Sequence, residues 1–467
     1  MFIGRTNELT KLEKLYKTNK FEFMIMFGRR RIGKTRLLTE FIKNKEAIFF
    51  SAEENNDKLN LSKFTDAIRE HYPQFKYIPD FDKWDHAFKF IAEIASDQRI
   101  VVVIDELPYI AQSNPSFLST LQHVIDHTLS KTNLFLIACG SSISFIENEV
   151  ISEKSPLFGR KTAQMHVQPL DYFDAAKFFP NYTYEDKVKT YCLLGGIPQY
   201  LNKFDASLSL PENIIEHILD TSAYLYDEPK NLMHQELRVP AVYNAIIEAI
   251  SSGATKLNEI STKSGEDSRK LSKYILHLVD LHILKKEFPI TNEKFKNTIY
   301  RVNDLLFKFI YRFVYPNKSL IERDKSRYVY EEKILPELST FLGSAFETVC
   351  MEYLLRMDHQ SKLPFTIENI GRWWGNNPIK QKQDEIDLIA LGRDAVIFGE
   401  CKFKNDLMDV KTLNLLVERS LMFAHENKYY YLFSKSGFTK QLIEKSKEQS
   451  NIRLIQLDNL FLDVVES

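Results

Sequence analysis

Phe21 to Thr35 reads FEFMIMFGRRRIGKT. Residues 21–27 are almost all apolar, as a strand buried on both faces of a parallel sheet must be. Gly28-Arg29-Arg30-Arg31-Ile32-Gly33-Lys34-Thr35 then completes a G-x-x-x-x-G-K-T pattern, and Arg36 to Lys43 holds neither Gly nor Pro, so a helix can follow. Strand, glycine loop and helix in that order is the context in which this pattern cradles a phosphate. Gly28 and Gly33 permit the tight turn that makes consecutive backbone N–H groups converge, and the helix start adds its positive dipole end. Lys34 would then bridge the β- and γ-phosphates, and the Thr35 hydroxyl would face Mg²⁺. Residues Gly28 to Arg36 are the expected nucleotide cradle.

Working outward, the 467 residues suggest roughly three domains by the soft length rule. Hydrophobic residues make up 44% and charged residues 27%, the balance of a globular protein with several cores. Net charge is −1, which excludes a polycation, so any nucleic-acid contact must come from local patches. Cys139, Cys192, Cys350 and Cys401 form no C-x-x-C, which argues against a zinc or disulfide framework and suits a reducing cytoplasm. MFIGRTNELTKLEKL has no apolar signal run, and runs such as Ile100 to Ile104 are too short to span a bilayer. A cytoplasmic protein with no membrane partner is expected.

Leu9, Leu12 and Leu15 mark one face of a helix before the loop strand. Phe2 to Arg5 either line a nucleotide base or simply pack. Arg99-Ile100-Val101-Val102-Val103-Ile104-Asp105-Glu106 is a β-branched run ending in two acids. After a phosphate loop this is the pattern in which the Asp holds Mg²⁺ through water and the Glu polarises the attacking water. Leu134 to Gly140 is a further buried strand, followed by Ser141 and Ser142, which either sense the γ-phosphate or cap the next helix. Alternating strands and helices over 21–167 specify a parallel α/β sheet, with Gly28, Asp105 and Ser141 at strand carboxyl ends, where such sheets bind ligands. Arg160, in SPLFGR, is either a surface arginine or a group that reaches a neighbouring subunit of a homo-oligomer. Gly195-Gly196-Ile197-Pro198 breaks one helix and starts another.

FIGRTNEL, GRRRIGKT, VVVIDE, ACGSSIS, SPLFGR and GGIPQYL, in this order, resemble the archaeal/bacterial ATPase family of the AAA+/STAND group over residues 1–235. The resemblance implies ATP and Mg²⁺ at Lys34, Thr35, Asp105 and Glu106, and a helical lid carrying Gly196 and Pro198.

Val242 to Ile250, Leu257 to Thr262 and Asp267 to Leu281 read as three helices, the last with an apolar stripe of Leu271, Tyr274, Ile275 and Leu278. Arg269, Lys270, Lys273 and His277 lie largely off that stripe. Leu284 to Glu287 and Thr298 to Val302 would form a wing, with Lys285, Lys286, Lys294 and Lys296 nearby. This winged helix-turn-helix pattern serves either DNA phosphates or protein packing.

Toward the carboxyl end, Gly343-Ser344-Ala345-Phe346-Glu347 is expected to open a helix. Asp384-Glu385-Ile386-Asp387 and Glu400-Cys401-Lys402 lie on two strands joined at Gly392-Arg393-Asp394. A two-residue loop at Arg393-Asp394 pairs Gly392 with Ala395 and, counting back, Asp387 with Glu400. Glu400 and Lys402 share that face and Cys401 points away. Adjacent carboxylates repel unless a cation lies between them, and oxygen ligands suit Mg²⁺ or Mn²⁺. Lys402 would orient water or stabilise a phosphate transition state. With Glu347 on a preceding helix, this set resembles the restriction-endonuclease-like PD-(D/E)xK superfamily, although no Pro precedes Asp387. The segment is also similar to the C-terminal domain often fused to these ATPases.

The expected architecture is therefore α/β: a P-loop NTPase parallel sheet (1–170), a helical lid (171–235), a winged helix-turn-helix (236–305), linker helices (306–335) and a restriction-endonuclease-like α/β domain (336–467). The expected catalytic set is Lys34, Glu106, Arg160, Asp387, Glu400 and Lys402, with Ser141 and Pro198 beside the nucleotide. Metal is expected at Thr35 and Asp105, and a second Mg²⁺ or Mn²⁺ at Glu347, Asp387 and Glu400. ATP and DNA are the expected partners; the rival reading is a STAND-like regulatory switch whose C-terminal domain does not cut.

Overall fold

The computed structural model describes residues 2–291, 298–377 and 381–464. The chain forms two compact units, one of residues 1–169 with 197–199 and the other of 170–196 with 200–467. The segment expected as a lid is thus divided: Ile197-Pro198-Gln199 belongs to the first unit and its flanking helices to the second.

The first unit is built on a five-stranded sheet of β1 (Glu22–Phe27), β2 (Ala47–Ser51), β3 (Ile100–Asp105), β4 (Leu134–Gly140) and β5 (Ala163–His166), in the order β2-β3-β4-β1-β5. Every pairing is parallel. β1, β3 and β4 are buried at every position, which is why they read as unbroken apolar runs rather than alternating ones. Phe64, Trp84, Phe88 and Phe117 fill one side of the sheet in edge-on and tilted contacts. Each such side chain contributes about 1.5–3 kcal/mol by leaving water. The shared direction of the strands brings the ends of β1, β3 and β4 to one edge of the sheet.

In the second unit, helices Pro240–Ser251, Leu257–Ser264 and Ser268–Asp280 are followed by the antiparallel ribbon β6 (Leu284–Glu287) and β7 (Ile299–Val302). Ile246, Ile247, Ile260, Leu271, Ile275 and Leu278 close their common core. The Asp267 carboxylate caps the third helix by accepting from the Arg269 N–H. Lys294 and Lys296 lie outside the described residues.

The same unit carries a second sheet of β8 (Asn369–Asn377), β9 (Lys382–Leu391), β10 (Ala395–Lys402), β11 (Asn427–Ser434) and β12 (Ile452–Gln456), in the order β12-β11-β10-β9-β8. β8–β9 and β9–β10 are antiparallel, whereas β10–β11 and β11–β12 are parallel. The helix Leu335–His359 packs on this sheet through residues such as Phe346, whose ring lies 5.2 Å from that of Phe403. Gly343 does not open this helix but sits inside it. The start is set earlier by Pro336 in the first turn, and a side chain at Gly343 would meet no atom within 4 Å, so nothing there ends the helix. Gly196 is different: a Cβ there would lie 1.6 Å from the Leu170 carbonyl oxygen, so only glycine fits this corner. Among the described residues no helix is long and apolar enough to cross a membrane.

Candidate functional site

β1 runs into the Gly28–Gly33 loop and then the helix Lys34–Ile42. Gly33 takes the left-handed conformation at φ 89° and ψ 25°, which turns the chain into the helix without strain. The Lys34 ammonium, 6% exposed, donates to the Gly28 carbonyl at 2.7 Å and the Arg29 carbonyl at 3.1 Å. Thr35 Oγ1 donates to Asp105 Oδ2 at 2.7 Å, so the two hard oxygens expected around a divalent ion lie side by side, one in the first turn of the helix Lys34–Ile42 and the other at the end of β3.

Glu106 follows β3 with φ 55° and ψ 46°, a left-handed conformation that costs a non-glycine residue about 1–3 kcal/mol. Its Oε2 accepts from the Ser141 N–H at 3.2 Å and the Ser141 hydroxyl at 2.9 Å. Ser141 immediately follows β4 and holds the acid's carboxylate, a contact that the alternatives of sensing or capping did not include. Pro198 lies against the loop: a Cβ on Gly33 would sit 3.8 Å from its ring. Arg30 donates to the Tyr109 hydroxyl at 2.9 Å, Arg29 and Ile32 are buried, and Arg36 is exposed. Arg160 makes a bidentate pair with Asp126 of its own chain at 3.2 and 3.1 Å, which holds the Asp126 carboxyl below its ordinary range.

Arg5, in the segment read as either lining a base or packing, makes contacts that spacing did not foretell. It is 6% exposed, and it donates to the Ile32 carbonyl at 3.0 Å, the Gln168 carbonyl at 2.6 Å and Glu8 at 2.9 Å. It ties the phosphate loop to the segment after β5. The only linear signal was its place beside Gly4.

The second cluster lies on the β9–β10 hairpin. Gly392 N–H donates to the Ala395 carbonyl at 2.9 Å, so the loop has two residues. The ladder pairs Leu391 with Val396 and ends at Leu388 with Gly399, one step short of the expected pairing of Asp387 with Glu400, where β9 shifts register against β8. Asp387 Oδ2 accepts from the Cys401 N–H at 3.0 Å. Burial first, then the Glu400 charge, raise the Asp387 carboxyl above its ordinary value. Burial alone would lower the Lys402 ammonium, but Glu400, which it contacts directly, and then Asp387 outweigh it and hold it high.

Among the described residues no three His, Cys, Asp or Glu side chains gather as a metal-binding group. Glu347, Asp387 and Glu400 therefore do not form the expected three-carboxylate ligand set. The physical reason is competition by cations from other elements. Arg372 on β8 pairs with Glu347 at 2.9 Å, and Arg419, on the helix Val410–Ser420, reaches Glu400 at 3.3 Å and Asp384 at 2.8 Å. Even so, burial pushes the Glu347 carboxyl up to about 7. Neither arginine was legible as a partner, because each lies far along the chain from the acid it meets.

On the third helix of the helical trio, Arg269, Lys270 and Lys273 are exposed. His277 instead is half-buried, with its Nδ1 2.7 Å from the Tyr243 hydroxyl.

Residues 2–204 match a family described as an ATPase domain predominantly from Archaea, and residues 310–414 match archaeal and bacterial proteins of unknown function. The protein MJECL04 of Methanocaldococcus jannaschii is 33% identical over 468 aligned residues, spanning 98% of this chain and all of that one. The chain belongs to this archaeal-type P-loop ATPase family. A second protein of that organism, MJ1637, is 22% identical and covers 74% of this chain and 68% of its own. A Walker-type ATPase of Pyrococcus abyssi shares the fold at a TM-score of 0.51 and 18% identity, over 67% of this chain and 96% of its own. This ATPase thus binds ATP and hydrolyses it.

Proposed function

We propose that this ATPase couples ATP hydrolysis to an action on DNA, with the β9–β10 hairpin as a phosphodiester-cleaving site. The observation that supports the second half is that Asp387 accepts from the Cys401 N–H while Lys402, the next residue, contacts Glu400, which gathers two carboxylates and a lysine at the end of the hairpin. At the ATP site Thr35 and Asp105 would hold Mg²⁺, whose charge would offset that of the phosphates. Lys34 would bind the β- and γ-phosphates, and Glu106, whose carboxylate Ser141 holds, would polarise water. At the hairpin, Asp387 and Glu400 suit Mg²⁺ or Mn²⁺, which proteins commonly hold with one or two carboxylates and a substrate phosphate. Lys402 would stabilise charge on that phosphate. The helical trio with its β6–β7 ribbon is read as a winged helix-turn-helix that lays Arg269, Lys270 and Lys273 on DNA phosphates. The domain limits 1–170, 171–235, 236–305, 306–335 and 336–467, a cytoplasmic location, and a homo-oligomer in which Arg160 leaves Asp126 for a neighbour, belong to the same reading.

One observation favours a non-cleaving regulatory module instead: Glu347 and Glu400 are already answered by Arg372, Arg419 and Lys402. A cleavage assay decides. Wild type, Asp387→Asn and Glu400→Gln are incubated with plasmid, forked and single-stranded DNA in Mg²⁺ or Mn²⁺. Metal-dependent cutting that both substitutions abolish is expected. No cutting of any substrate by wild type rejects the nuclease half and leaves the switch.

A further inference from the structure

A cavity of about 330 Å³ opens within the second unit, between the β6–β7 ribbon, the helix Leu335–His359 and β8. Lys285, Arg301, Arg372 and Trp374 line it with Glu287 and Glu347. Counting Lys286, which also lines it, the walls hold two more cations than carboxylates. Lys308 stands just behind the wall, donating to the Ser344 hydroxyl that faces the cavity, and Glu385 lies 3.9 Å from Arg372, so the charges just outside leave that excess unchanged. Burial first, then the charges of Arg301 and Lys285, hold the Lys308 ammonium down to about 8. Burial and then Arg372 lower Arg301 likewise. The Nε groups of Arg301 and Arg372 are buried and touch carboxylates at 3.2 and 2.9 Å, yet among the described residues no acceptor lies along either N–H. Cations crowded in this way are relieved by an added anion with several acceptor oxygens. The remaining wall is apolar and aromatic, from Ile290, Met351 and Trp374, which suits a planar base.

We propose that this cavity seats one nucleotide, its phosphate against Lys285, Arg301 and Arg372 and its base toward Trp374. The volume is of the size of a single nucleotide. This rests on the DNA-acting reading above and narrows it to a phosphorylated strand end; a free mononucleotide offers the same chemistry.

Full-length protein, with its ATP site filled by a non-hydrolysable ATP analogue, is titrated with labelled single-stranded DNA bearing a 5′-phosphate, a 3′-phosphate or neither. Free dAMP is titrated separately and followed by tryptophan fluorescence. A terminal phosphate at one end is expected to tighten wild-type binding about tenfold, the worth of one charge-assisted contact. Arg301→Gln should erase that preference. Lys286→Ala, a surface change that leaves folding intact, should reduce it about threefold. Strands that bind equally with and without the phosphate, in wild type and variants alike, overturn the cavity assignment and leave the DNA reading standing. If no strand binds, the DNA reading fails. In that event a saturable dAMP signal lost in Arg301→Gln supports the cavity as a mononucleotide site, and no dAMP signal overturns it.

Discussion

The two charged centres of this ATPase are assembled by opposite means. At the phosphate loop, one unbroken segment supplies most of the site: the Gly28 and Arg29 carbonyls receive Lys34, and the next residue, Thr35, reaches the end of β3. At the hairpin, five elements contribute. Asp387 and Glu400 come from β9 and β10, Glu347 from the long helix, Arg372 from β8 and Arg419 from the helix Val410–Ser420. A site made by local backbone geometry has its charges pre-arranged as soon as the loop forms. A site made from distant carboxylates must offset the cost of bringing like charges together, and here it does so with arginines. On this reading the loop would concentrate function in single residues, whereas the hairpin spreads its charges over ion pairs.

The largest expected effect tests the first half of that contrast. Lys34→Ala, or Glu106→Gln, should lower ATP turnover by about 10²–10³-fold, as loss of a single preorganised charge commonly does. The urea midpoint should stay near wild type, as read by circular dichroism beside a phosphate-release assay. Turnover within threefold of wild type would mean that the loop does not concentrate the chemistry.

The next effect belongs to the second half. Glu347, at about 7, and Glu352, pushed up to about 8 by burial and then by Asp171, both hold their protons more tightly than in the unfolded chain. Glu352 accepts from the Tyr191 hydroxyl at 2.7 Å and the Tyr172 N–H at 2.9 Å. The folded state binds more protons, so the stability these groups contribute is full below about pH 4.5. It falls as pH rises to about 7 for Glu347 and about 8 for Glu352, and the Glu347 share is about 3 kcal/mol. The urea midpoint should therefore drop across this window. Glu347→Gln should flatten the slope below pH 7, and Glu352→Gln should flatten the remainder. A midpoint independent of pH would break the comparison.

The smallest effect sharpens it. Ser141→Ala removes one of the two donors that orient Glu106 and should lower turnover about tenfold with little change in the KM for ATP. A rise in KM instead would place Ser141 in nucleotide binding.

Much of this was open to a reader of the chain, and the limits follow one rule. Phe21 to Thr35 determined strand, loop and helix because each depends on neighbours a few residues away. The hairpin register as far as Leu388 and Gly399 was countable for the same reason, since a two-residue loop at Arg393-Asp394 transmits it along the strands. The start of the long helix was misread at Gly343 because glycine weakens a helix without ending one that is packed along its length.

Other features were decided by tertiary structure alone. These are Arg5 on the Ile32 carbonyl, Ser141 on Glu106, Arg372 on Glu347 and Arg419 on Glu400. Each is a through-space match between groups far apart in sequence, and no local propensity or period encodes which of many arginines or serines will arrive beside a given acid. The chain itself specified the strand, the glycine loop and the place of Lys34; folding chose the partners that hold Glu106 and pair with the hairpin's acids.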